Sequence, residues 1–272
     1  MFGSEYAKYP EILLRQISFS IMGSTSIKLN LNPKLKPFIK LYIHLFGIPE
    51  IGMYVRFLHF KKHIKNFNFK YVLDAGCGLG LYSFYIGKKY PLAKIDAVDC
   101  DSEVIENDKR ILDELHLKNI NFFQKDLLEL SEYSKYDLIY SIDVLEHIKE
   151  DERVIRNIYN ALKEGGIFYL HVPQKNQKRH FKRFENWLYE GHARNGYTNS
   201  ELIQLLEENG FKIKKVKNTI GWSGSLAWEL NQISLSFLPI AGLIFPVLLI
   251  ISFIDTFVKN KNGLCILVIA EK

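Results

Sequence analysis

An apolar strand that runs straight into a turn with glycine at every second position constrains this chain more than anything else in it. The stretch is Val72-Leu73-Asp74-Ala75-Gly76-Cys77-Gly78-Leu79-Gly80, and a helical pattern follows at Leu81, Phe84, Tyr85 and Lys88. A strand, a glycine turn and a helix in that order present backbone N–H groups to a ligand. Glycine leaves out the side chain that would fill the ligand's space. A dinucleotide fingerprint would place glycine at 76, 78 and 81. Here Leu81 stands at the last of these positions and the third glycine is Gly80.

The strands and helices after this turn alternate. A strand is expected at 94–98, ending in Asp99-Cys100-Asp101, and a helix at 102–115 with Val104, Ile111, Leu112 and Leu115 inward. Asp99 lies 19 residues beyond Gly80, where an acid at a strand tip accepts hydrogen bonds from two ribose hydroxyls. The other use of Asp99 is as a helix cap, but Asp101 and Ser102 are better placed for that. Strands follow at 120–124, 136–142 and 167–172, with a helix at 150–163 stopped by Gly165-Gly166. Short links between them argue for a parallel sheet with helices on both faces. Thr198-Asn199-Ser200-Glu201 is a capping box that opens a helix ending at Asn209-Gly210, and a sixth strand is expected at 211–216.

The pattern D-x-G-x-G-x-G at 74–80 resembles the first motif of class I S-adenosylmethionine-dependent methyltransferases. The run Y-D-L-I-x-x-x-D-V-L-E-H at 136–147 resembles members that act on small, often lipid-linked molecules, including those of quinone biosynthesis. The resemblance covers about 70–220. It implies a Rossmann-like seven-stranded mixed sheet whose last strand, at 263–270, is antiparallel. It implies S-adenosylmethionine as cofactor, held by Asp74, Gly76, Cys77, Gly78, Gly80, Asp99, Cys100, Asp126, Leu127 and Ser141. Cys100 would lie against the adenine and Asp126 would reach its amino group, or else serve as a turn aspartate. Some ubiquinone O-methyltransferases of similar motif hold a divalent metal with an acid-x-x-Glu-His set, matched here by Asp143, Glu146 and His147. The alternative is that Glu146 and His147 tie neighbouring loops by hydrogen bonds, and no metal is expected.

Residues 174–197 turn basic and aromatic together, with Lys175, Arg179, Arg183, Trp187, Tyr189, His192 and Arg194. The run from Glu190 to Thr198 resembles a loop in the same methyltransferase group. His192 and Arg194 are the candidates for substrate contact, or they anchor the loop. A histidine, His192 or His147, deprotonates a hydroxyl at neutral pH.

Two parts fall outside the resemblance. Residues 1–68 read as short helices punctuated by Pro33, Pro37 and Pro49, an N-terminal cap ahead of a methyltransferase domain at 69–272. Residues 233–254 carry no charge. A single crossing of a bilayer would strand the last strand on the wrong side, and two crossings need about 40 apolar residues. Pro239 and Pro246 break the run into short pieces. The expectation is a helical hairpin at 233–258 that touches one leaflet, forms a dimer interface or covers an apolar substrate.

Net charge is +6, and 47% of residues are hydrophobic, so a packed core is expected. The basic residues form no long stripe with stacking aromatics, which argues against nucleic acid. Cys77, Cys100 and Cys265 have no metal-ligand spacing, which suits a reducing cytosol, at most with contact to the inner membrane face. The expected function is methyl transfer to a small amphipathic or lipid-linked acceptor. The alternatives are a Rossmann oxidoreductase using NAD(P) and a membrane-docked binding protein without catalysis.

Overall fold

A computed structural model describes residues 41, 50–185 and 191–272. Most of the expected N-terminal cap, and Trp187, Tyr189 and Glu190, lie outside the described residues.

From residue 50 onward the described chain forms α1 (Ile51–Ile64), then β1 (Tyr71–Ala75), α2 (Leu81–Lys89), β2 (Lys94–Asp99), α3 (Ser102–Leu115), β3 (Ile120–Gln124) and β4 (Tyr136–Ile142). It continues with α4 (Asp151–Ala161), β5 (Leu162–Pro173), α5 (Asn199–Glu208), β6 (Lys212–Thr219), α6 (Trp222–Ser234), α7 (Leu238–Asp255) and β7 (Cys265–Glu271). The sheet has seven strands in the order β3-β2-β1-β4-β5-β7-β6. The pairs from β3 through β5 are parallel, and β7 runs antiparallel to both β5 and β6. This is the Rossmann-like arrangement expected, with the antiparallel last strand that an all-parallel dinucleotide-binding sheet lacks.

Alternation along each strand divides the core into two layers. Leu73, Ile139, Phe168 and Val268 face the layer covered by α4 and α5. Their neighbours Val72, Tyr140, Tyr169 and Leu267 face the opposite layer, with α1, α2 and α3. There Phe60 of α1 stands edge-on to Tyr140 and Tyr169, at centroid distances of 4.9 and 5.3 Å. Both arms of the Thr198–Glu201 capping box are made.

The end of α4, the start of β5 (Leu162 rather than 167, with Gly165-Gly166 inside the strand), the end of β6 and the effect of the prolines differ from expectation. Helix α4 stops at Ala161, because Leu162 already pairs with Tyr136 and the entry to β4 bonds to the carbonyls of Asn160 and Ala161. Strand β6 runs on to Thr219, since β7 offers partners along that whole length. The prolines do not fragment the apolar run: α7 is continuous across Pro246. Pro239 sits in the first turn, where its missing N–H has no helical partner in any case. Burial of Phe245 and Leu248 on either side offsets the roughly 3 kcal/mol that an interior proline costs.

The insertion between β6 and β7 is therefore a hairpin of α6 and α7. Ala241, Phe245, Leu248 and Ser252 of α7 are buried against its neighbours. Ile240, Leu243, Val247, Ile250, Ile254 and Phe257 are exposed, Leu243 by 79%. Spacings of three and four residues put these on one face of the helix and its continuation. Among the described residues no helix is long and apolar enough to cross a membrane.

Candidate active site

Two cavities open at the carboxyl ends of the central strands, the edge where open α/β sheets bind ligands. The larger, of about 710 Å³, is lined by the glycine turn, Asp99 and Cys100 after β2, Lys125–Leu128 after β3, and 142–149 after β4. The smaller, of about 320 Å³, lies beside it and shares Arg56, Asp143 and His147. Its other walls include Glu146, Gln177, His192, Trp228 and Cys265.

The glycine turn is shaped by three left-handed residues: Gly76 at φ +86°, Gly78 at +49° and Gly80 at +65°. A Cβ on Gly76 would come within 2.4 Å of a Val144 methyl, whereas a Cβ on Gly78 would meet no protein atom within 4 Å. Gly78 thus leaves space at the cavity wall that any side chain would fill. Its N–H donates to Asp99 Oδ2 at 3.0 Å, and the N–H of Asp101 donates to Oδ1 at 3.0 Å. Asp99 is half-buried and lines the cavity. The N–H groups of Gly76 and Cys77 donate to the Val98 carbonyl oxygen at 3.0 and 2.8 Å. Against expectation, the turn therefore offers a ligand close approach rather than free donors, beside a braced acid for vicinal hydroxyls, which fits an adenosine.

Cys77, Cys100, Asp126 and Leu127 also line this cavity. Asp126 accepts from Leu128 N–H at 2.9 Å, so it braces the 127–129 turn while facing the cavity. Asp74, Gly80 and Ser141 are not brought to the wall. Asp74 is buried behind it and accepts from Ser83 Oγ at 2.7 Å, which in turn meets Tyr140 OH at 3.2 Å. Burial pushes the Asp74 carboxyl up to about 7, against those hydrogen bonds, with the charge of Asp99 adding to the rise. Asp108 of α3 stands with it, raised to about 8 by burial and then by Asp74 and Asp99.

An acid raised in the folded state binds a proton that the unfolded chain has released, so its contribution is lost as pH rises from the unfolded value through the folded one. The thermal midpoint of wild type relative to Asp74→Asn should therefore fall between pH 5 and pH 8. A constant difference would show that Asp74 stays ionised throughout.

Around the smaller cavity Asp143 is the hub. Its backbone is left-handed, at φ +55°, and its carboxylate pairs with the Arg56 guanidinium. It also meets His171 Nδ1 at 3.2 Å, and His171 Nε2 reaches Thr219 Oγ1 at 2.9 Å. Arg56 and His171 hold Asp143 below the usual carboxylate range despite burial. Glu146 is buried, with Oε2 unbonded, and burial followed by the Asp143 charge raises it well above its ordinary value. His147 Nδ1 lies 3.0 Å from the Gly191 carbonyl oxygen, and its ring meets the His192 ring at 4.5 Å. Burial, and then His147, hold the His192 imidazole below its ordinary value. Glu146, His147 and His192 offer donor atoms within 4.8 Å of one another, as do Asp143, His171 and Cys265.

Arg194 faces neither cavity. Its guanidinium pairs with Asp151 and donates to the carbonyls of Ile148 and Lys149 at 3.0 Å, and it lies over the Tyr197 ring. It fastens the loop that carries His192 to the start of α4.

Sequence reasoning missed Arg56, Asp108, His171 and Trp228. Asp108 left a signal, an acid midway between the buried Ile105 and Ile111 on the inward face of α3. Arg56 and Trp228 left none, because their place follows from how α1 and α6 dock. Ile51 N–H at the start of α1 donates to Asn231 Oδ1 of α6 at 3.1 Å.

The fold and the glycine-turn cavity define a class I S-adenosylmethionine-dependent methyltransferase. A family model described as a methyltransferase domain matches residues 54–216, more than half of the chain, and the chain belongs to that family. It is 34% identical over 110 residues to the malonyl-[acyl-carrier protein] O-methyltransferase 1 of Ilyobacter polytropus, covering 40% of this chain and 38% of that one. It is 24% identical over 188 residues to the ubiquinone biosynthesis O-methyltransferase of Rickettsia akari, covering 64% and 70%. The chain thus spans well under half the length of the first of these relatives. An O-methyltransferase from a trans-AT polyketide multienzyme of Brevibacillus brevis, solved with S-adenosyl-L-homocysteine, shares the fold at a TM-score of 0.58 and 21% identity, covering 90% of this chain and 78% of that one.

Proposed function

We propose that the protein transfers a methyl group from S-adenosylmethionine to a small amphipathic acceptor, the donor occupying the larger cavity and the acceptor the smaller. The observation that carries this reading is the contact between them: two cavities of unequal size share Arg56, Asp143 and His147 as a common wall. When bound, S-adenosylmethionine supplies an electrophilic methyl carbon. The chain's task is to hold donor and acceptor in line, which by itself supplies several kcal/mol or more. Gly76, Cys77 and Gly78 offer a backbone edge, Asp99 receives the ribose hydroxyls, and Cys100, Asp126 and Leu127 flank the base. Asp74 and Gly80 act from behind, Asp74 by its bond to Ser83 of α2 and Gly80 by its N–H to the Cys77 carbonyl oxygen, while Ser141 stays within β4.

For a hydroxyl acceptor the oxygen forms its bond to the methyl carbon as the carbon–sulfur bond breaks, and the hydroxyl proton goes to an imidazole. His192 suits this role, because its lowered pKa keeps it neutral near pH 7. His147 orients it by ring contact, and Arg194 is a positioning residue for the loop. His192→Ala should lower kcat about 100-fold or more with little change in KM for the donor, and the wild-type rate should fall on the acid side as the imidazole takes a proton. An unchanged acid limb in the variant would remove His192 from this role. Methyl-labelled S-adenosylmethionine, incubated with the protein and an organic-solvent extract of cells, should place label in the solvent phase; label confined to water would contradict an amphipathic acceptor.

The exposed face of α7 supports peripheral contact with an anionic lipid leaflet. Lys62 and Lys217 both donate to the Thr256 carbonyl at the end of that face, and Lys259 and Lys261 follow it. Cations beside an apolar helix face match the charge and polarity of such a surface. Wild type should sediment with vesicles containing phosphatidylglycerol, and Leu243→Glu with Ile250→Glu should abolish this. Equal sedimentation would assign the face to another partner.

A further inference from the structure

A third cavity, of about 400 Å³, adjoins the acceptor cavity and shares Ile220 and Leu264 with it. It is bounded by 178–180, the start of α6 and the turn 259–263. Four cations line it, Lys178, Arg179, Lys259 and Lys261, and no carboxylate does. Like charges gathered around a void repel one another, and an anion in that void relieves the repulsion.

Arg179 is set for such a ligand. Its guanidinium lies over the Trp228 ring at 4.9 Å and one nitrogen donates to Gln177 Oε1. Its Nη1 is buried and has no hydrogen-bond partner among the described residues. A buried guanidinium N–H without an acceptor is costly, and a turn of the side chain toward the adjoining void would let a bound oxyanion supply one.

The frame around the cavity is fixed. The N–H groups of His180 and Phe181 donate to the buried Glu229 carboxylate at 2.8–3.1 Å, so that charge is turned away from the void. His180 Nε2 lies 2.8 Å from Ser225 Oγ and 3.1 Å from the Trp222 carbonyl oxygen. Asp255 accepts from Gly224 N–H and Asn260 Nδ2, at 3.3 and 3.2 Å, and is likewise engaged. At the rim stands Trp222, 71% exposed, close in sequence to nothing charged but adjoining the turn that leaves the apolar face of α7 through Phe257 and Val258.

We propose that this cavity seats a phosphate group carried by the acceptor, so that the acceptor is an apolar molecule bearing a phosphate. This rests on the methyl-transfer reading above and names its substrate class. Four cations around one void suit a multiply charged phosphate, and Arg179 presents donors matched to its oxygens. The shared wall at Ile220 and Leu264 lets one molecule reach both cavities, and the exposed Trp222, Phe257 and Val258 give an apolar tail a path outward.

The test is calorimetric titration of the full chain with dodecyl phosphate below its micelle concentration, beside inorganic phosphate and dodecyl maltoside. The proteins are wild type, Arg179→Gln, and the double variant Lys259→Gln with Lys261→Gln, whose side chains are exposed and leave the core untouched. S-adenosylhomocysteine is titrated into each in parallel. Dodecyl phosphate should bind wild type at least tenfold more tightly than either variant, inorganic phosphate should bind more weakly and displace it, and dodecyl maltoside should not compete. S-adenosylhomocysteine should bind all three proteins alike. Equal affinity of dodecyl phosphate for wild type and variants overturns the seat, and so does equal binding of dodecyl maltoside. Inorganic phosphate binding as tightly as dodecyl phosphate overturns the lipid-borne ligand in favour of a free anion. Absence of S-adenosylhomocysteine binding to wild type strikes the methyl-transfer reading instead, a failure the phosphate titrations do not share.

Discussion

Gly78→Ala should keep most of its stability and lose its ligand, whereas Gly76→Ala should lose stability. The two glycines share a turn and a positive φ, at +49° and +86°, but their surroundings differ. A methyl on Gly76 would stand 2.4 and 2.7 Å from the two methyls of Val144, a β-branched side chain that is stiff at χ1. Left-handed strain of about 1–2 kcal/mol and the clash with Val144 together should destabilise that variant by about 3 kcal/mol. A methyl on Gly78 would meet open cavity, so only the strain applies. Its expected loss of stability is about 1 kcal/mol. Yet the methyl occupies space that a ligand needs in order to reach the backbone, and S-adenosylhomocysteine affinity should fall at least tenfold. Thermal melts read the first quantity and calorimetry the second. If Gly78→Ala binds like wild type, the ligand does not approach this edge of the turn.

Removal of Arg56 is expected to have the second large effect. Its guanidinium is the cationic partner of Asp143, which also meets His171. Arg56→Met keeps much of the volume and strands a carboxylate in a half-buried site. Breaking a buried pair on one side costs about 3–5 kcal/mol, and because the two side chains keep 20% and 25% of their exposure, about 2 kcal/mol is expected here. The loss should depend on pH with a definite sign. Asp143 is held below its ordinary value, so it stabilises the fold above the unfolded carboxylate range and loses that contribution as pH falls. In Arg56→Met that contribution is gone, so the gap between the variant and wild type should be widest near neutrality and close toward pH 3. Urea midpoints at pH 7 and pH 3 measure it. A gap that persists at pH 3 would mean that Arg56 acts through packing alone. The same variant should also weaken acceptor binding, since Arg56 lines both cavities.

Most of the lining of the larger cavity was legible in the sequence, Asp74, Gly80 and Ser141 excepted, and most of the smaller cavity's was not, for a physical reason. A phosphate- or ribose-binding turn is local: Gly76, Gly78 and Asp99 sit at strand tips whose neighbours are fixed by a βαβ connection, so spacing along the chain reports spacing in the fold. Asp126 joined them by the same logic at the tip of β3. The smaller cavity is assembled from far-separated pieces. Arg56 comes from α1, Asp143 and Glu146 from the end of β4, His192 from a loop, Trp228 from α6 and Cys265 from β7. No spacing rule links residues that meet only when α1 docks on α6. Arg194 shows the converse: it stood beside His192 in a suggestive run, and the fold turns it toward Asp151 instead. The apolar run was expected to hold a hairpin within 233–258, but it forms the single helix α7, whose partner arm α6 largely precedes the run; proline counted too heavily, because neighbours bury both flanks of Pro246.

The measurement that bears most directly on the account is calorimetric titration of S-adenosylhomocysteine into wild type and Asp99→Ala. Asp99 is braced by the N–H groups of Gly78 and Asp101 and faces the larger cavity, so its loss removes the acceptor for the ribose hydroxyls while leaving the core intact. Micromolar binding to wild type, weakened tenfold or more in the variant, about 1.4 kcal/mol, is the predicted result. A folded wild-type protein that does not bind S-adenosylhomocysteine would contradict the assignment of this cavity to the methyl donor.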